Sequence, residues 1–299
     1  MQRIAGVLVG LAVCAGPPPA RAQEAAGTAL WRLVATTLPV PPALSLGAAG
    51  SFWNPAQVED SARAQLAIEG VETSAAIGAS GVLAALKVRA GKVGYVGLIY
   101  GRVGLTDLTR TGDSPDAVGS SVPVYTSAVG VTWSRAIGRT AVGATARYHV
   151  TRLDDIERSR STFDVGASRE VVPGLRLAAA THFVSSFRAD PAQDIYAGVE
   201  YRLWQGPLWG DHGVLRGRYG LAFAHGFTAD HQAGVGLEVG TAVALDVAVA
   251  REGGYSDAGW RPAAGMRLAI GKYRVTIARD AGLNDLGSAY RVGVEARFR

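Results

Sequence analysis

The last twelve residues, SAYRVGVEARFR (288–299), alternate strictly. Tyr290, Val292, Val294, Ala296 and Phe298 are apolar, and Arg291, Gly293, Glu295 and Arg297 between them are charged or tiny. Period two puts successive side chains on opposite faces of a strand, so this segment has one apolar and one polar face. The same pattern recurs at Val142–Val150, Ile195–Leu203, Val243–Val249 and Ala264–Ile270. It predicts fourteen strands, near 64–72, 81–90, 92–103, 122–135, 140–152, 161–171, 174–184, 194–204, 214–225, 232–240, 242–252, 262–271, 273–280 and 289–298. Most are close to the length a tilted membrane strand needs, and no later stretch is apolar for long enough to be a spanning helix.

The connections divide the two ends of such a sheet. After even strands they are short (AGK, AIGR, VVPG, GT, GK), and after odd strands longer and polar, as in residues 104–121, LDDIERSRS and DAGLNDLGS. QGPLWGDHG, after the eighth strand, is the one longer even link. Aromatics on the apolar faces sort the same way. Tyr125, Tyr148, Phe163, Phe183, Phe223 and Tyr290 fall near the long loops, and Trp133, Tyr201, Tyr273 and Phe298 near the short turns. Short turns, long loops and two aromatic belts belong to a transmembrane antiparallel β-barrel. Soluble sandwiches also alternate, but here the second face carries Arg147, His149, Arg176, His182, Glu200, Arg202, Arg216, Arg218, Arg267 and further charges. A dry core would not tolerate them unpaired, whereas a wet lumen would, and a closed barrel satisfies every backbone group in lipid.

The inward positions predict eleven cations (Lys87, Arg89, Arg102, Arg147, Arg176, Arg202, Arg216, Arg218, Arg267, Arg274, Arg291) against five acids (Asp164, Glu200, Glu238, Asp246, Glu295). Such a lumen is net positive and favours anions.

The chain opens MQRIAGVLVGLAVCAGPPPARAQE, a basic start, a short apolar run and a small-x-small site at Ala20-Arg21-Ala22. This reads as a secretory signal over residues 1–22. Cys14 raises a lipid-attachment alternative, against which Val13 stands as a poor preceding residue. Cleavage removes the single Cys, so the remaining fold is held without disulfides. It also removes Arg3 and Arg21, lowering the formal charge from +5 to +3, too weak for a nucleic-acid partner. Residues 23–63 then form an N-terminal periplasmic or plug-like segment, and 64–299 the barrel.

SLGAAGSFWNPAQVED (45–60), SAVGVTWSRAIGRTAVGATARYH (127–149) and STFDVGASREVVPGLRLAAA (161–180) occur in that order. Together they resemble the mature start and central hairpins of PorV/PorQ-type outer-membrane proteins, within the wider FadL-like fourteen-stranded barrels. The resemblance implies location in the cell outer membrane and an N-terminal hatch inside the lumen, with Asn54, Pro55 and Ala56 as its motif. Asn-Pro chemistry alone gives an equal alternative, a turn leading into the first strand. The chain's end is similar to the outer-membrane assembly signal. Arg291, Gly293, Ala296 and Phe298 fill its places for the barrel assembly machinery, with Arg299 one residue past the usual aromatic end.

His149, His182, His212, His225 and His231 show no metal-ligand spacing, and no GxSxG elbow occurs. GVGLEVG (234–240) has the wrong glycine spacing for a dinucleotide loop. The expectation is a non-enzyme without cofactor or metal, contacting outer-membrane lipid and passing small hydrophobic molecules. The rival reading, implied by PorV-type relatives, is a non-conducting accessory barrel of a secretion system that binds exported protein cargo. A third is a structural surface protein. Short loops lean towards transport, since a docking platform needs larger ones.

Overall fold

Fourteen alternating segments pair in sequence order and close on themselves. The structure, a computed structural model, describes residues 28–57, 62–106, 108–110, 119–184, 193–223, 229–253, 259–282 and 287–298. The expected signal segment, His225 and Arg299 lie outside the described residues. The strands are β1 (Ala64–Glu72), β2 (Ala79–Arg89), β3 (Tyr95–Leu105), β4 (Val124–Ile137), β5 (Thr140–Leu153), β6 (Ile156–Val172) and β7 (Leu175–Val184). There follow β8 (Asp194–Leu208), β9 (Asp211–Phe223), β10 (Ala229–Val239), β11 (Val243–Arg251), β12 (Arg261–Ile270), β13 (Tyr273–Asp280) and β14 (Ala289–Phe298). All neighbours are antiparallel, and β14 closes the barrel on β1 from Ala64↔Phe298 to Glu72↔Tyr290. Closure removes the free edges that an open sheet would present to lipid.

The faces follow the alternation. Val129, Val165, Val247, Val292 and Val294 lie exposed on the outer wall, while their neighbours Asp164, Asp246, Arg291 and Glu295 are buried inside. An exposed ring of valines and leucines fits hydrocarbon as its solvent, not water.

Two links are shorter than expected. Trp209 and Gly210, both with left-handed φ (50° and 82°), join β8 to β9 directly below the pair Leu208↔Asp211. QGPLWGDHG is therefore mostly strand, closed by a two-residue turn of the primed kind. LDDIERSRS is likewise strand: Leu153 pairs with Ile156 around Asp154, whose φ of 58° an aspartate tolerates.

Two residues face the opposite way from expectation. Arg102 lies on the outer face of β3 and is exposed, because Tyr95, Ile99 and Val103 fill the lumen side of this strand. With apolar residues on both faces, β3 has no polar face for period two to mark. Phe183 is fully buried inside, not in the outer belt. The β6–β7 register shifts between Phe163 and Val165, Phe183 takes a positive φ of 59°, and its N–H donates to Asp164 Oδ1 at 2.8 Å. A bulge re-aims the side chain, which sequence alternation does not reveal.

The lumen is also drier than a simple pore. Trp31, Val34, Leu44, Phe52 and Trp53 pack inside the barrel against Val71, Leu83, Ile99, Val103 and Phe183. The segment before the barrel supplies this core.

Val247 faces outward at mid-strand on β11 and is 55% exposed. Val247→Arg is expected to destabilise the barrel by about 2–4 kcal/mol, the cost of a charge near a bilayer midplane. Unfolding titrations in lipid vesicles measure it.

Candidate functional site

The segment packed inside the barrel, residues 28–57, for which hatch serves as a label, is built from short pieces because its sequence permits nothing longer. Helix α1 (Thr28–Thr36) buries Trp31 and Val34, three residues apart on one face. Pro39, Pro41 and Pro42 then forbid a continuous helix, leaving one 3₁₀ turn (Pro42–Leu44). The all-small helix α2 (Gly47–Gly50) lets the backbone approach the wall, where the Ala48 N–H donates to Glu295 Oε2 at 3.0 Å.

Asn54, Pro55 and Ala56 are fully inside the barrel. The Asn54 amide donates to the Ala43 carbonyl at 2.7 Å and its Oδ1 accepts from the Ala56 N–H at 2.9 Å. Gln57 Nε2 reaches the same Ala43 carbonyl at 3.0 Å, tying both ends of the hatch together. The motif is a side-chain-capped turn packed inside the barrel. Its floor is two glycines of the wall. A Cβ at Gly143 would meet Pro55 O, and one at Gly166 would meet Asn54 Oδ1, so only a bare backbone admits the motif.

Two polar groupings hold the hatch. In the first, Arg147 pairs with Asp164 at 2.5 Å, both side chains fully buried, and also donates to the Phe52 carbonyl beneath its ring. His182 Nε2 donates to that same carbonyl at 2.6 Å and lies 3.4 Å from Asp164 Oδ2. His149 hydrogen-bonds Thr162 at 2.8 Å and stacks edge-on against Phe183. On the other side of α1, Arg291 donates to Thr37 Oγ1 and the Val34 carbonyl and pairs with Glu69 at 2.5 Å. Arg32 adds a pair to Asp194 at 3.1 Å.

The second grouping lines the wall from β7 to β12. Glu200 accepts from Arg218 at 2.6 Å and lies 3.5 Å from Arg176 and 3.8 Å from Arg216. Arg218 also pairs with Asp246, and Arg216 with Glu238 at 3.1 Å. Arg176 additionally donates to the Leu44 carbonyl of the hatch at 3.1 Å. Arg202 turns away from this set to Gln205 at 2.6 Å. Arg267 makes no hydrogen bond or ion pair among the described residues.

Between hatch and wall lies a cavity of about 90 Å³, lined by Leu38, Val40, Leu44 and Trp53 on the hatch side and by charged wall residues including Arg218, Asp246, Arg267, Arg291 and Glu295. The Trp53 indole N–H is buried without a partner among the described residues. Leu46, Arg267 and Arg274 border this cavity and also a vestibule of about 1000 Å³ at the short-turn end, which reaches Gly240, Lys272 and Phe298.

The residues expected in the lumen are thus there, apart from Arg102, and they are mostly engaged in ion pairs. Of the expected assembly-signal positions, Arg291 and Gly293 face inward, Ala296 and Phe298 outward. Arg291 also anchors the hatch. Thr37, which sequence reasoning did not single out, and Phe52 and Trp53, which it met only within the stretch 45–60, also hold the segment in place. Among the described residues no three His, Cys, Asp or Glu side chains cluster as a metal site.

No family model matches the sequence, and no curated protein matches it significantly. Solved structures do match in fold. The toluene transporter TbuX of Ralstonia pickettii is 12% identical with a TM-score of 0.56, over 85% of this chain and 95% of that one. The toluene transporter TodX of Pseudomonas putida is 10% identical with a TM-score of 0.56, over 91% and 96%. The monoaromatic hydrocarbon channel CymD is 10% identical with a TM-score of 0.56, over 85% and 93%. At such identities the shared property is the barrel fold.

Arg147→Met would strand the buried Asp164 carboxylate and is expected to cost about 3–5 kcal/mol. Adding Asp164→Asn keeps the acceptor for the Phe183 N–H and should recover about half, a coupling that chemical denaturation of the four variants measures.

Proposed function

We propose that this chain is a FadL-like outer-membrane barrel that passes small hydrophobic molecules inward. The observation that carries the reading is the small cavity between hatch and wall, apolar on its hatch side, adjoining a wide vestibule at the short-turn end. A small guest meets Leu38, Val40, Leu44 and the face of Trp53, then passes Leu46 towards the vestibule. The hatch side gives a small organic ligand apolar contact area, and the wall opposite carries Arg218, Asp246, Arg267, Arg291 and Glu295. Proteins of the same fold named as toluene transporters and a monoaromatic hydrocarbon channel support it.

On this reading residues 23–63 are the hatch, 64–299 the barrel, and the barrel assembly machinery reads the end through Ala296 and Phe298. The protein is a passage, not an enzyme. No observation favours the PorV/PorQ part of the resemblance, or an accessory secretion barrel with protein cargo.

Uptake tests the proposal. Cells with an intact outer membrane should take up labelled toluene several-fold faster when they make the protein, while sucrose entry stays unchanged. Leu46→Trp, which narrows the junction of the two cavities, should return toluene uptake towards background. Equal toluene uptake with and without the protein would reject the reading.

A further inference from the structure

An arginine on the lipid-facing wall needs an explanation that the lumen does not supply. Arg102 follows Leu98 and Tyr100 on the outer face of β3, and its guanidinium stacks on the ring of Tyr125 at 4.0 Å. Among the described residues it makes no hydrogen bond and no ion pair. Its flanking partners in register are Val82 on β2 and Ser127 on β4, neither of them acidic. Tyr125 in turn pairs with Arg152 on β5, also exposed on the outer face. Arg152 donates through Nε to the Asp154 carbonyl at 2.9 Å, which leaves its two terminal nitrogens open. Glu157 lies opposite Arg152 in register, yet the two form no ion pair among the described residues. Asp154 is already engaged by Arg110.

Height on the wall decides what these cations can meet. Arg102 sits about 6.6 Å along the strand beyond Tyr100, two residues at the usual rise, and Tyr148 and Phe163 form the aromatic belt beside it. There a lipid-facing cation costs about 0–1 kcal/mol, against about 2–4 at the midplane. Beyond the belt begins the headgroup layer, where a planar guanidinium held on a tyrosine face presents its donors as a fork. Phosphate oxygens are the acceptors that fork fits.

We propose that Arg102, Tyr125 and Arg152 form an external site for the phosphate of an anionic lipid in the outer leaflet. The lipid's acyl chains lie along Leu86, Leu98 and Val129 below, and its phosphate sits between the two guanidiniums. The site is independent of what the lumen passes.

The test uses the full chain, purified and folded in a neutral detergent, with lipid A and its dephosphorylated form as probes in native mass spectrometry. Lipid A should bind at least about tenfold more tightly than the dephosphorylated form. The Arg102→Gln/Arg152→Gln variant should lose that difference. Arg279→Gln is the control, because Arg279 stacks at 5.9 Å on Tyr290 elsewhere on the wall; it should change binding less than twofold. Equal binding of both lipids to the unaltered protein would overturn the proposal and requires no variant. So would an undiminished phosphate preference in the double variant, or an equal loss in the Arg279 control.

Discussion

The Arg147 guanidinium, sealed between the Asp164 carboxylate and the Phe52 carbonyl, is the contact on which the interior depends. Strand pairing fixes Arg147 and Asp164 as inward residues of adjacent strands, and neither can turn to lipid without flipping the register of its strand. Removed from water, each charge requires a partner of opposite sign and acceptors for its remaining donors. The barrel wall alone offers the carboxylate. The hatch offers the carbonyl, the Phe52 ring and, through the neighbouring His182, a second claim on the same oxygen. Arg291 repeats the arrangement from the opposite side with Glu69, Thr37 and the Val34 carbonyl. Hatch and wall therefore fold as one body, each satisfying polar groups that the other exposes.

The lumen divides in two along this line. Towards β1–β7 the hatch closes a dry core of Trp31, Phe52, Ile99 and Phe183, where indole and phenyl rings fill the space a pore would occupy. Towards β8–β14 arginines and carboxylates form a ladder in which Glu200, Glu238 and Asp246 are each already taken by an arginine. Arg267 is left over, at the passage from the small cavity to the vestibule. The small cavity thus opens past arginines into the vestibule.

Much of this was legible in the chain. Period two located the fourteen strands, usually within a few residues at each end, because each strand had to present one face to hydrocarbon. The reading failed where that asymmetry was missing. β3 carries Ile99 and Val103 inside as well as Leu98 and Tyr100 outside, so the face of Arg102 had no marker. Phe183 depended on a bulge and a left-handed residue, which alternation cannot encode. Trp209-Gly210 looked like loop because a tryptophan is an unusual turn residue. The hatch was implied only by a resemblance, through Asn54, Pro55 and Ala56. Which wall charges its carbonyls would satisfy depended on contacts between residues about a hundred or more positions apart.

Single-channel recording in planar bilayers tests the interlocked hatch most directly. The intact protein should conduct ions poorly, and a chain lacking residues 23–57 should form an open channel. With more lumen arginines than carboxylates, that channel should prefer anions, and the preference should weaken at high salt as the charges are screened. An intact protein that already conducts like an open pore would contradict the account.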